Sequence, residues 1–150
     1  MFRNILIVVD ASKASSRAAR HGLQLAKTLC AKITLLTVTI PSARQCMHEF
    51  ASVIPEVVMP QTGYADKHKS VAMQLLQNVA ADARRARLEL KSVHRSHRDP
   101  CRAIVDTAHE EGCDLIIMAA HCVSHLSGDF PGGESLRVMA ASRIPILTCH

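Results

Sequence analysis

At 150 residues, with 48% hydrophobic and 21% charged residues, the chain has the composition of one globular domain over 1–150, not of a disordered or fibrous polymer. Aromatic residues make up only 3%, so the core has to be aliphatic. A net charge of +5 favours anions in general without naming a partner, and no apolar run approaches the ~20 residues of a membrane-spanning helix.

The run Ile-Leu-Ile-Val-Val over 5–9 is continuous and rich in β-branched residues, the pattern of a central strand covered on both faces. It ends at Asp10 and lacks a small-residue cleavage site, so it reads as structure and not as a secretory signal. Ser12 suits the cap of a helix whose apolar stripe runs through Ala18, Ala19, Gly22, Leu25, Ala26, Leu29 and Cys30. A second strand is predicted over 33–40, and 41–63, with three prolines and no period, reads as a long connection.

A second amphipathic helix is predicted over 65–88, with Ala72, Leu75, Leu76, Val79, Ala83 and Ala86 on its apolar side. The polar strand 90–96 belongs at a sheet edge. Arg84, Arg85, Arg87, Lys91, Arg95 and Arg98 form a basic stretch there, read as a solvated face because no aromatic residues are interleaved to stack on bases; nucleic acid is not an expected partner. Asp99-Pro100 starts a helix sharply and Gly112 stops it, with Cys101, Ile104, Val105 and Ala108 facing inward. A fourth strand (114–118), a fourth helix (134–142) and a last strand (144–149) complete the chain.

Strands alternating with helices require parallel pairing, so the expected architecture is a doubly wound α/β sheet with helices on both faces. Ligands bind such sheets beyond the carboxyl ends of the strands, where the strand order reverses. Those ends carry Asp10-Ala11-Ser12 and Ala119-Ala120-His121-Cys122, followed by nine residues and Gly132-Gly133.

These stretches, in this order, resemble the universal stress protein family: 5–12, Leu25-Ala26-Lys27 leading into 33–38, Asp99-Pro100, Gly112 to Met118 and Ile144 to Leu147. The resemblance implies a five-stranded parallel sheet of order 3-2-1-4-5 and a homodimer paired through its last strands. It also implies two branches, of which the ATP-binding one carries glycine, two residues, glycine, nine residues, glycine, then serine or threonine. This chain keeps the spacing but reads Ala119, Cys122, Gly132 and Gly133. Ala11 replaces a usual glycine after Asp10, and Arg98 another before Asp99-Pro100. Asp10 is retained, either to face adenine or ribose, as the resemblance implies, or to enter the helix.

Glycine lets main-chain N–H groups approach phosphate and tolerates positive φ, so a β-carbon at 119 and 122 is expected to crowd or strain the loop. The resulting expectation is a cytoplasmic, non-enzymatic stress-response module with a vestigial or weak nucleotide site, no cofactor and an unknown protein partner. The alternative is an ATP- or AMP-binding switch. No Walker-type loop, dinucleotide fingerprint or nucleophile elbow is present.

The six cysteines (Cys30, Cys46, Cys101, Cys113, Cys122, Cys149) have no paired CxxC spacing, which suggests reduced thiols in a cytoplasm. A thiol or metal sensor built on His121, Cys122, His125, Cys149 and His150 is a further alternative, as is a cluster of His94, His97 and Cys101; neither matches an established zinc spacing, and no metal is expected.

Overall fold

Residues 5–9 are each no more than 2% exposed. Side chains alternate across a strand, so five such residues in succession require both faces of the sheet to be covered. The computed structural model describes residues 1–10, 12–40, 64–120 and 133–149. Its elements are β1 (Asn4–Val8), α1 (Lys13–Leu29), β2 (Lys32–Thr39), α2 (Tyr64–Arg85), β3 (Leu90–Ser96), α3 (Pro100–Glu110), β4 (Leu115–Ala119), α4 (Gly133–Ala141) and β5 (Ile146–Cys149). The strands form one all-parallel sheet of order β3-β2-β1-β4-β5. Chain order therefore reverses between β1 and β4. Helices α1 and α2 touch each other, and so do α3 and α4. The predicted connection 41–63 lies outside the described residues, as do the side chains of Ala72 and Leu75.

Three helices end by the same device. Cys30, Arg87 and Gly112 adopt left-handed φ of 51°, 56° and 63°. In each case the following N–H reaches back five residues: Ala31 to Ala26 O at 2.9 Å, Leu88 to Ala83 O at 3.0 Å and Cys113 to Ala108 O at 2.8 Å. This closes the orphan carbonyls of the last turn. It also corrects two expectations. Cys30 is exposed at the cap of α1 and does not lie on the buried stripe, and α2 ends at Arg85 instead of running to Leu88.

The last two strands start later than predicted, for local reasons. Asp114 is not in β4 because its carboxylate turns back to accept from the N–H groups of Arg3 (2.7 Å) and Asn4 (3.0 Å). β5 begins only at Ile146 because Ile144 closes a turn, its N–H donating to Ser142 Oγ at 3.0 Å.

At the β3 edge three of the six basic residues of this stretch are paired with acids. Lys91 meets Glu111 at 2.6 Å, Arg85 meets Asp82 at 3.1 Å and Arg95 pairs with Glu110. This is the solvated, charge-laced face that the residue pattern predicts.

Candidate functional site

The carboxyl ends of β1 and β4 flank the reversal point. At β1, Val9 N–H donates to Leu36 O (2.8 Å) and Thr37 Oγ1 donates to Val9 O (3.2 Å), which fixes the strand end against β2. Asp10 then builds the turn into α1. Its Oδ1 accepts from Ser12 N–H at 2.8 Å, and its own N–H donates to Ser15 Oγ at 2.9 Å. Ser12 is extended (φ −83°, ψ 152°), and its hydroxyl oxygen accepts from Ser15 N–H at 3.0 Å, so it caps the helix as predicted. Aspartate and serine suit this junction because their short polar side chains satisfy backbone N–H groups that a helix start leaves without partners. Of the two roles weighed for Asp10, helix entry accounts for these bonds. Ala11 lies outside the described residues.

At β4, Ala119 is paired with Cys149 in register, and Ala120 N–H donates to Cys149 O at 2.8 Å. The Ala119 side chain is fully buried and belongs to the core. Among the described residues left-handed backbone occurs only at Cys30, Arg87, Gly112 and Gly133. The strain reasoned for a left-handed residue 119 therefore does not arise: a β-carbon there sits in an ordinary strand.

Gly133 has φ +66°, and a β-carbon on it would lie 3.8 Å from Ala120 O, an ordinary contact. Its glycine is thus favoured by conformation and not by lack of space. The Ser135 hydroxyl donates to the same Ala120 carbonyl, tying the start of α4 to the end of β4. Cys122 and Gly132 lie outside the described residues, with His121, His125 and His150 of the thiol or metal alternative.

The first turn of α4 holds residues that the sequence reading missed. Glu134 is 3% exposed, and Arg137, three residues on, lies 3.2 Å from its carboxylate. Arg137 also reaches the Asp99 carboxylate at 3.0 Å. Asp99 is the N-cap of α3, accepting from Arg102 N–H, with Pro100 in the first turn behind it. One guanidinium therefore joins the starts of α3 and α4. Glutamate followed by arginine three residues later, just after a glycine pair, is the sequence signal that marks this corner.

Cys101 sits in the same corner. Burial pushes its thiol above the ordinary 9.0, with the Glu134 and Asp99 charges adding to the effect. Burial likewise raises Cys149 at the end of β5. The grouping of His94, His97 and Cys101 is not assembled. His94 Nε2 meets Thr39 Oγ1 at 3.0 Å and His97 Nδ1 lies 2.7 Å from the Asp99 carbonyl, while the ligand-type group that includes Cys101 consists of Asp99, Cys101 and Glu134.

Comparison with known proteins agrees with this fold. A model of the universal stress protein family matches residues 1–150. Universal stress protein YxiE of Bacillus subtilis (strain 168) is 24% identical over 150 residues, covering 98% of each chain. The structure of hypothetical protein MJ0577 is similar with a TM-score of 0.74 at 22% identity, over 99% of this chain and 96% of that one. A universal stress protein in complex with cAMP gives a TM-score of 0.69 at 22% identity, over 99% and 97%. One from Archaeoglobus fulgidus in complex with dAMP gives 0.63 at 15% identity, over 99% and 98%.

Proposed function

The chain belongs to the universal stress protein family, and on that premise we propose that it is a non-enzymatic stress-response module whose adenine-nucleotide loop is impaired. The observation that carries this reading is the start of α4. Gly133 stands where ATP-binding members have a hydroxyl residue, and Glu134 puts a buried carboxylate into the first turn. A helix start attracts anions through its partial positive charge, and here the chain supplies its own anion. Arg137 is shared between Glu134 and Asp99, so the three groups leave the corner with a net negative charge. Losing a hydroxyl bond to phosphate removes roughly 1.5–3 kcal/mol, a large share of the ~8 kcal/mol that a micromolar complex holds. Calorimetric titration of the protein with ATP and with AMP should show no saturation in the micromolar range. Saturable micromolar binding would overturn the reading.

One observation favours the alternative of an ATP- or AMP-binding switch: Ala119 is accommodated in the core without backbone strain, so the end of β4 does not obstruct a ligand. Relatives of this fold in complex with cAMP and dAMP make the same alternative worth testing. It requires nucleotide affinity that falls on Asp10→Ala.

The reading includes a homodimer joined through β5, supported by an apolar sheet edge. Leu147 on β5 is 41% exposed, and Leu136 and Met139 on α4 are 53% and 43% exposed. Leu147→Glu should convert the dimer to a monomer by light scattering; a wild-type monomer at micromolar concentration rejects this part. The reading also includes a cytoplasmic location, supported by unpaired thiols at Cys30, Cys101, Cys113 and Cys149. No helix among the described residues is long and apolar enough to cross a membrane. The absence of catalysis is part of the same reading, supported by a sequence without a Walker-type loop, dinucleotide fingerprint or nucleophile elbow. Phosphate release from ATP that Asp10→Ala abolishes would refute it.

A further inference from the structure

Where α3 meets α4, the carboxylates of Asp99 and Glu134 and the sulfur of Cys101 lie within 4.8 Å of one another. Cys101 and Glu134 are buried, at 6% and 3% exposure, while Asp99 stands at the rim. Arg137 at present supplies the positive charge, 3.0 Å from Asp99 Oδ1 and 3.2 Å from Glu134 Oε1. The thiol has no share in these bonds. Two carboxylates against one guanidinium leave a negative balance, and a buried sulfur is aimed at the same point.

We propose that this corner binds a divalent cation of the zinc type, with Cys101 Sγ, Asp99 and Glu134 as its three protein ligands. Sulfur beside two carboxylates selects a borderline-soft ion: magnesium and calcium gain nothing from the thiol, and copper(I) gains little from the carboxylates. Three protein ligands leave a fourth tetrahedral position for water. On binding, the Cys101 S–H bond breaks, a sulfur–metal bond forms and the proton leaves to solvent, so uptake of the ion releases acid. Arg137 is the competitor. Its side chain is 39% exposed and can turn outward to give up its place. A groove of about 480 Å³, lined by Asp99, Cys101, Arg102, Val105 and Arg137 among others, opens onto the site as an entry path.

Titrating the full chain with Co²⁺ tests this, because sulfur ligation gives a charge-transfer band in the near ultraviolet. The band should saturate at one equivalent, with a proton released. It should vanish in Cys101→Ser and persist in Cys113→Ser. Arg137→Gln should bind about fivefold more tightly, the order expected when a half-exposed ion pair no longer competes. Glu134→Gln should bind at least about tenfold more weakly. A band that survives Cys101→Ser marks adventitious binding to other thiols and overturns the proposal, as does the lack of a band in both the wild type and Arg137→Gln. Should Cys101→Ser unfold, Glu134→Gln decides: unchanged affinity rejects the site.

Discussion

Gly22 of α1 lies directly against Ile7 of β1: a β-carbon built on the glycine would come to 2.6 Å from Ile7 Cδ1 and 3.0 Å from its Cγ1. The same β-carbon would lie 3.5 Å from Ile117 Cδ1, and both isoleucines are fully buried in a close-packed core, so Ile7 has little room to give. Alanine at 22 gains about 1 kcal/mol of helix propensity but overpacks the core by about 1–3 kcal/mol. Gly22→Ala should therefore lower stability by about 1 kcal/mol, and Gly22→Leu by considerably more. Urea denaturation measures both; a stabilised Gly22→Ala would show that the helix can move off the sheet.

Asp114 joins the N-terminus to the start of β4. Its two carboxylate oxygens accept from Arg3 and Asn4 N–H, and its own N–H donates to Asn4 O at 2.9 Å. Asp114→Ala removes both acceptors and should cost about 1–2 kcal/mol, with the exposed Arg3 amide regaining water. Amide exchange should accelerate first at the beginning of β1. An unchanged exchange pattern would contradict this anchoring.

Ala119→Gly recreates one glycine of the ATP-binding pattern. Because Ala119 is extended and wholly buried, the change removes a core methyl worth about 0.8 kcal/mol and adds about 0.5–1 kcal/mol of backbone entropy cost. The expected result is a loss of about 1–2 kcal/mol of stability with no gain in ATP affinity by calorimetry. Restored binding in this single variant would place the impairment at 119.

Alkaline pH should weaken the fold. Burial pushes the thiols of Cys101 and Cys113 above their ordinary 9.0. Below that value both folded and unfolded chains keep these protons and the contribution to stability is full. Above it the unfolded chain loses them first, so stability falls as pH rises towards the folded-state values, by at most about 1.4 kcal/mol per pH unit for each thiol. Urea midpoints measured from about pH 8 to pH 11 should fall less steeply in Cys113→Ala; an equal slope would remove Cys113 as a cause.

Much of this fold was legible from local pattern, and the reason is physical. The aliphatic runs of β1 and β4 are buried on both faces, and Ser12 and Asp99-Pro100 satisfy helix starts through their own side chains, so the signal lies within a few residues. What escaped depends on distant partners. Left-handed ends at Cys30 and Arg87 lack the glycine that marked Gly112, because their cost is met by the back-bonds of Ala31 and Leu88. Asp114 is drawn out of its strand by amides more than a hundred residues earlier. At the candidate site, Asp10 lies two residues beyond β1 and Gly133 opens α4. The corner of Glu134, Arg137 and Asp99 was not foreseen, since nothing local brings residue 99 next to residue 134.

The two flanks of the sheet differ in a way that limits growth. β3 presents Lys91 and Arg95 paired with Glu111 and Glu110 at the end of α3, whereas β5 is four residues long and exposes the aliphatic Leu147. An incoming strand can be welcomed on one flank only. If β5 pairs with a second copy, as proposed, the flanks left at the rim of that ribbon are the two charged β3 edges, which disfavour further strand addition and hence growth into fibres.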